Sequence, residues 1–407
     1  MSLRIAMLSI HSSPVGLMGT GKTGGMSIYV RELARELGRR NHSVDIFTCQ
    51  IEKNIKPLVH LYPNVRLVYI ANGQRSAMVS AEELYDEKEL IARSMSCFAD
   101  EWGINYSLIH SHYWLSGLIG EELKKGWNCP HIITFHTLGA AKMASFSGQK
   151  EHGERLIEEN RLLQQCDGII APTTAERSRY EDIQSCAGER IHIVPCGVDM
   201  KQFRVFGKNE GGIQGNTRNR QDRILLFVGR FDSMKGIDTL LHSVALLPKE
   251  PFVHLMLIGG DGTGSPAQQR IADKATELGI DTRLRFLGSV EHQLMAHYYN
   301  SADALVVASC YESFGLVIVE ALACGTPVAA MPVGIGPEVI RPDINGCLAK
   351  EANERSLALA ISDALLLAEK SDPVEIRRTV AQFTWSRVAE NLLDVYHKVI
   401  KRKSSTV

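Results

Sequence analysis

The chain has 407 residues, 44% hydrophobic and 22% charged, with 34 Gly and 14 Pro. That is ordinary globular composition and enough chain for about two to three domains. Lys and Arg total 45 against 46 Asp and Glu, a formal charge of −1, which argues against a protein that grips nucleic acid through a large basic surface.

Leu3–Ile10 is a short apolar run without clean alternation, as expected of a strand buried on both faces of a parallel sheet. No small-residue cleavage site follows it, so it reads as a strand and not as a secretory signal. A Gly-rich stretch comes next, then Ser27–Leu37 (SIYVRELAREL) with apolar residues at helical spacing, then a strand at Ser43–Thr48. Strand, glycine loop, helix and strand make a βαβ unit. Further strands are expected at Val65–Ile70, Ser107–His110, His131–Phe135, Gly168–Ala171 and Ile191–Val194. The order then begins again with a strand at Arg223–Gly229 and a helix at Ile237–Leu247. Strands at Val253–Ile258, Leu284–Phe286, Ala304–Ala308 and Thr326–Ala330 follow.

Between the halves, GKNEGGIQGNTRNRQ at 207–221 has almost nothing to bury and reads as a linker or surface insertion. The expected division is therefore 1–206, 207–221 and 222–384, with the amphipathic segment Trp385–Ile400 opening a C-terminal piece, 385–407. Two doubly wound α/β domains are expected to place a ligand at the carboxyl ends of their sheets. No apolar run is long enough to span a membrane. Nine Cys without a C-x-x-C pair suggest reduced thiols in a cytoplasmic protein, with neither a disulfide framework nor a structural zinc site.

Two phosphate-binding patterns overlap in the first glycine loop, and both are rejected. Gly19–Gly24 matches G-x-G-x-x-G and Asp45 lies at a suitable distance, but Asp45 falls inside a strand, where it cannot reach a ribose. Gly16–Thr23 matches G-x-x-x-x-G-K-[ST], yet no second strand in that half ends in an Asp for Mg²⁺. What remains is that Gly24 and Gly25 lead directly into a helix whose free N–H groups suit a phosphate.

In the second half, Gly229-Arg230-Phe231 ends a strand and Lys235-Gly236 follows. Two cations there can neutralise a diphosphate; the same spacing also fits two solvated surface charges. Glu312-Ser-Phe-Gly-Leu-Val-Ile-Val-Glu320 is more specific. The N–H groups of Ser313–Leu316 precede or open a helix, and Glu320 sits among apolar neighbours. A carboxylate there needs hydrogen-bond donors, which sugar or ribose hydroxyls would supply. A capped helix with one outward Glu is the alternative.

The combination R-F-x₃-K-G, then E-S-F-G-L-x₃-E-A-x-A-x-G-T-P-V, resembles the family 4 retaining glycosyltransferases of the GT-B fold. In the first half, Gly24-Gly25-Met26-x₂-Tyr29-Val30, IHSHYWLSG at Ile109–Gly117 and TFHTL at Thr134–Leu138 resemble the same family in the same order. The branch containing sucrose-phosphate synthases and the glycosyltransferase of mycothiol biosynthesis is the most similar. The resemblance implies two Rossmann-like domains facing across a cleft, with the C-terminal helix packed on the first domain.

It further implies a nucleotide-diphosphate sugar donor, most often a UDP-sugar, and a small hydroxyl acceptor. Arg230 and Lys235 would hold the diphosphate, with the Gly25 amide and its neighbour Gly24 assisting. Glu320 would take the ribose, and the Val290 backbone the base. Glu312 and the amides of Phe314, Gly315 and Leu316 would orient the hexose, which His136 also approaches. His11, Ser27, Tyr113, Thr137 and Arg155 match positions around a phosphorylated acceptor; a core role for Tyr113 and a pairing of Arg155 with Glu158 or Glu159 on one helix are the alternatives. Lys22 and Ser27, however, stand where the mycothiol enzyme has Asp and Asn, and its acceptor-phosphate Lys falls near Ala81, with Arg75 close by.

Retention by departure and attack on one face needs no enzyme nucleophile, and Arg and Lys make a metal unnecessary, so neither a metal nor another cofactor is expected. A nucleotide-sugar 2-epimerase of the same fold and a non-catalytic sugar-nucleotide binder are the competing readings. The basic C-terminal HKVIKRKSSTV is taken as a solvated helix end, with peripheral membrane contact as the alternative. Homodimerisation is left open.

Overall fold

The computed structural model describes residues 2–15, 24–49, 56–70, 81–145, 151, 153–183, 188–207, 222–260, 262 and 264–405. The glycine loop 16–23, Arg75 and nearly all of the expected linker 207–221 lie outside these residues.

Unit one consists of the chain's first residues, Gly25–Pro195 and Trp385–Val407. Its sheet uses β1 (Arg4–Leu8), β2 (Ser43–Cys49), β3 (Leu58–Tyr62), β4 (Val65–Ile70), β5 (Leu108–His112), β6 (His131–Thr134), β7 (Gly168–Ala171) and β8 (Ile191–Ile193), in the order β3-β4-β2-β1-β5-β6-β7-β8. All neighbours pair in parallel except the edge strand β3, which runs antiparallel to β4. Strands β1, β5, β6 and β7 are buried almost throughout; helices cover both faces of such a sheet, which removes the need for polar alternation. In register, Leu8 faces Ser111 and His112 faces Thr134. The residues after β1, β5 and β6 therefore emerge together at one end of the sheet.

Trp385–Ser404 is a helix that buries Trp385, Val388, Ala389, Leu392, Val395, Tyr396 and Val399 within this unit. Trp385 packs edge-on against Tyr29, 5.7 Å between centroids, and the Tyr396 hydroxyl meets His110 Nδ1 at 2.7 Å.

Unit two is Cys196–Thr384, to which Gly24 is also grouped. Its sheet uses β9 (Arg223–Val228), β10 (Val253–Ile258), β11 (Leu284–Gly288), β12 (Ala304–Val307), β13 (Val328–Ala330) and β14 (Gly346–Leu348), all parallel, in the order β11-β10-β9-β12-β13-β14. Leu225, Phe227, Leu255, Leu257 and Val306 join Leu240, Leu241, Leu357 and Ile361 in one buried core.

The units divide at Pro195/Cys196, earlier than the expected boundary at 206. The physical reason is that Cys196–Phe206 is held by unit two. Arg377 donates to the carbonyls of Met200 and Phe203, Gln202 to that of His292, and the Phe203 ring packs on Tyr299.

Candidate active site

In unit two the site residues sit at the carboxyl ends of β9, β11 and β12. After β9, Phe231 is buried against Phe227 and Phe286, and this anchor leaves Arg230 exposed. Asp232 then caps the turn Ser233–Lys235, its Oδ1 accepting from the Lys235 N–H at 3.1 Å. Gly236 follows with φ +65°, and a Cβ there would lie 2.0 Å from the Ala308 carbonyl. Only glycine lets this turn lie against the end of β12.

The result is a close pair: Lys235 Nζ donates to Glu312 Oε1 at 2.5 Å, and Ser309 Oγ donates to the same oxygen at 2.7 Å. Arg230 pairs instead with Asp232, at 2.8 Å. Each expected diphosphate-binding cation thus already has a carboxylate partner. The exposed Arg230–Asp232 pair is of the kind worth only about 0–1 kcal/mol, so an anion can displace Asp232 at little cost.

The chain then runs Ser313, Phe314, Gly315 into the helix Leu316–Ala323. Gly315 has φ +87°, and among the described residues the N–H groups of Phe314, Gly315 and Leu316 have no hydrogen-bond partner. The Phe314 carbonyl accepts from the Ile335 N–H at 2.7 Å. Gly334 makes this approach possible, since with φ +56° a Cβ there would lie 2.2 Å from the same carbonyl oxygen. Val290 follows β11, beside Ser289, which donates to the Gly260 carbonyl.

Glu320 already has protein donors, one on each oxygen: His292 Nε2 donates to Oε1 at 2.7 Å and the Tyr299 hydroxyl to Oε2 at 2.8 Å. Burial and the neighbouring carboxylate push the Tyr299 pKa well above its usual value, so it stays a donor. The cost of a buried carboxylate was readable from the apolar helix, but its partners were not.

In unit one, His11 follows β1, Tyr113 follows β5 and His136 follows β6. Tyr113 has φ +76° and His136 φ +61°, left-handed conformations that cost such residues of order 1–3 kcal/mol. His11 and Tyr113 rings lie 4.5 Å apart, and the Arg155 guanidinium covers Tyr113 at 4.8 Å. Ser27 lies in the first turn of the helix Gly25–Arg39, its hydroxyl 2.9 Å from that of Ser12. Gly24, just before that helix, has open space where a Cβ would stand.

For Arg155 the structure shows the pairing with Glu159 on its own helix. The residue is 1% exposed, and all three of its nitrogens are bonded: to Glu159 at 2.7 Å, Glu151 at 2.6 Å and the Thr137 carbonyl at 3.0 Å. It braces the Thr137 loop, and its charge is already matched by two carboxylates.

The sequence reading assigned no role to two more histidines here. His112 Nδ1 lies 3.0 Å from His136 Nε2, while His110 bridges Tyr396 and Thr134 Oγ1. Burial drives these rings toward the neutral form: His110 and His136 are lowered to about 3, His11 to about 4, and His112 well below its usual value. Nearby positive charge adds to this, from Arg155 on His11 and from the other histidines on the rest. At neutral pH the cluster is a set of uncharged donors and acceptors.

The described residues contain one group whose donor types suit a metal, Glu121, His131 and Cys166. His131 Nδ1 already donates to Glu121 Oε1 at 2.6 Å, and Nε2 is 2.6 Å from Ser111 Oγ. Two ligands of one tetrahedral zinc stand about 3.3 Å apart given its bond lengths, so this contact is a hydrogen bond. Asp45, the residue of the rejected dinucleotide pattern, is bonded by Arg66 at 2.6 and 2.7 Å and by the Tyr106 hydroxyl at 2.8 Å.

Residues 23–202 match the family profile described as Glycosyltransferase Family 4, and residues 212–377 match Glycosyl transferases group 1. The D-inositol 3-phosphate glycosyltransferase of Geodermatophilus obscurus is 34% identical over 408 residues, covering 97% of this chain and 89% of that one. The chain belongs to the family 4 glycosyltransferases. The enzyme of the same description from Xylanimonas cellulosilytica is 32% identical over 98% of both chains. Among solved structures, sucrose-phosphate synthase from Thermosynechococcus elongatus superposes with a TM-score of 0.86 at 29% identity, over 98% of this chain and 100% of that one. Anabaena Alr3699/HepE in complex with UDP and glucose superposes at 0.73 with 17% identity, over 97% of this chain and 100% of that one, a likeness of fold alone. This glycosyltransferase is therefore a hexosyltransferase of the GT-B fold. No helix among the described residues is long and apolar enough to cross a membrane.

Proposed function

We propose that this glycosyltransferase moves a hexosyl unit, with retention, from a UDP-sugar to a hydroxyl of a phosphorylated sugar or polyol. The observation that carries the reading is the Lys235–Glu312 contact of 2.5 Å, beside three backbone N–H groups without partners at the opening of a helix. Lys235, and Arg230 once released from Asp232, neutralise the diphosphate as its bond to the sugar breaks. The Gly24–Gly25 amides assist, Val290 lies by the base and Glu320 accepts from the ribose while His292 and Tyr299 hold it in place. Glu312, Phe314, Gly315 and Leu316 fix the hexose, and His136 donates to one of its hydroxyls.

The acceptor oxygen bonds to the anomeric carbon on the face the diphosphate leaves, and a departing phosphate oxygen takes the acceptor's proton. Charge stabilisation and alignment supply the rate, so the reading assigns no enzyme nucleophile and calls on no metal. His11, Ser27, Tyr113 and Thr137 receive the acceptor, with Arg155 bracing Thr137. The names of the similar inositol phosphate glycosyltransferases and sucrose-phosphate synthase support a phosphorylated acceptor.

The test is a screen of nucleotide-sugars against phosphorylated and free polyols and sugars, read by mass spectrometry. A hexosyl product with retained configuration, made only with a phosphorylated acceptor and lost in Lys235→Ala, is expected. An epimer formed from UDP-sugar alone would replace this reading with an epimerase, and an active Lys235→Ala would remove its mechanism.

A further inference from the structure

The 3.0 Å contact between His112 Nδ1 and His136 Nε2 joins two neutral rings, so one nitrogen donates and the other accepts. The two arrangements differ in what they leave behind. If His136 donated through Nε2–H, His112 would carry its own proton on Nε2. That atom is buried and has no hydrogen-bond partner, so a donor would be orphaned. If His112 donates through Nδ1–H, its Nε2 keeps only a bare lone pair, packed beside Tyr29 and His110 at ring separations of 5.6 and 4.3 Å. Buried N–H groups without partners are rarer than under-satisfied acceptors, which favours the second arrangement.

His136 must then carry its proton on Nδ1, an atom with no hydrogen-bond partner among the described residues. The left-handed backbone at Tyr113 and His136 and the ring of Tyr29, 5.2 Å from His136, fix where that proton stands.

We propose that His112 is a positioning residue, donating through Nδ1–H to His136 Nε2 and so holding His136 as the Nδ1–H tautomer, a fixed donor for a hydroxyl of the hexose. This rests on the reading of His136 as a contact to the donor sugar. One consequence is that His136 offers no lone pair to the acceptor, so it cannot serve as the general base, and the proton must leave through the departing phosphate.

The tautomer is read directly from long-range ¹H–¹⁵N correlations on the full-length chain labelled with ¹⁵N-histidine, without ligand, with the His136 signal assigned through His136→Gln. The expected result is a protonated Nδ1 and a bare Nε2 at neutral pH in the unsubstituted protein. A His136 protonated on Nε2 would overturn the proposal with no variant involved.

His112→Leu is expected to lose the Nδ1–H signature and to lower kcat about tenfold or more, with the donor KM within about twofold, as for an interaction that matters in the transition state. His112→Asn, whose amide can donate from nearly the same place, is expected to restore the signature and most of kcat. An unchanged kcat in His112→Leu would overturn the positioning role. If the tautomer signal in the unsubstituted protein stands in that case, the fault lies in the sugar contact and not in the hydrogen bond.

Discussion

Glu320 is a carboxylate that is 5% exposed, and each of its oxygens has a different donor. Tyr299→Phe removes one of them and nothing else of comparable size. Leaving a buried acceptor without its partner costs about 1–3 kcal/mol, so the urea midpoint of unit two is expected to fall. The KM for the nucleotide-sugar is expected to rise, because the carboxylate is then free to turn. An unchanged midpoint would mean that Glu320 is not held by Tyr299. This residue also marks how far the site was legible. A Glu inside LVIVEALA announces that it needs donors, whereas His292 and Tyr299 reach it from 28 and 21 residues away. Lys235 and Glu312 were legible because their motifs are local. Their mutual contact spans 77 residues and follows only from the parallel order of β9 and β12.

At the scale of elements, the helix Trp385–Ser404 is tied to unit one by its apolar face, by exposed contacts of Arg40 with Ser386 and of Arg402 with Glu189, and by one buried polar contact. Tyr396 meets His110 Nδ1, and His110 Nε2 meets Thr134 Oγ1 at the end of β6. Tyr396→Phe keeps the packing and orphans a buried nitrogen, so a loss of about 1–3 kcal/mol is expected in urea unfolding. Leu392→Ala removes buried volume from the same helix, at about 2–5 kcal/mol. If Tyr396→Phe were as stable as the unsubstituted protein, the buried hydroxyl would contribute nothing to holding the helix. The strands of both sheets were legible where they are continuous apolar runs, as in β1, β9 and β10. Two strands were missed for physical reasons. β3 is an edge strand with both faces half-covered, which leaves neither alternation nor a fully apolar run. β14 is three residues long, too short for any period to register. The boundary at 206 was misplaced because Cys196–Phe206 is fastened by Arg377 and Tyr299, far along the chain.

For the whole molecule, a formal charge of −1 conceals an uneven distribution of titrating groups. The histidines with depressed pKa values, His11, His42, His110, His112, His136 and His192, all belong to unit one, and burial is the first cause in each. An unfolded histidine takes its proton near its usual value of 6.5, whereas folded His11 waits until about 4 and His110 and His136 until about 3. Below 6.5 the unfolded chain therefore binds more protons than the folded one, and stability falls with pH. The contribution is complete above about pH 6.5 and drains away as pH drops toward the folded values, each group adding a slope of up to about 1.4 kcal/mol per pH unit. Hydrogen exchange at pH 7.5 and pH 5.0, corrected for intrinsic rates, separates the units. Amides of β5 and β6 are expected to lose protection at pH 5.0 before those of β9 and β10. Equal protection of β5 and β6 at both values would mean that these histidines accept protons without opening the fold, and the neutral cluster on which the His112–His136 contact depends would not exist.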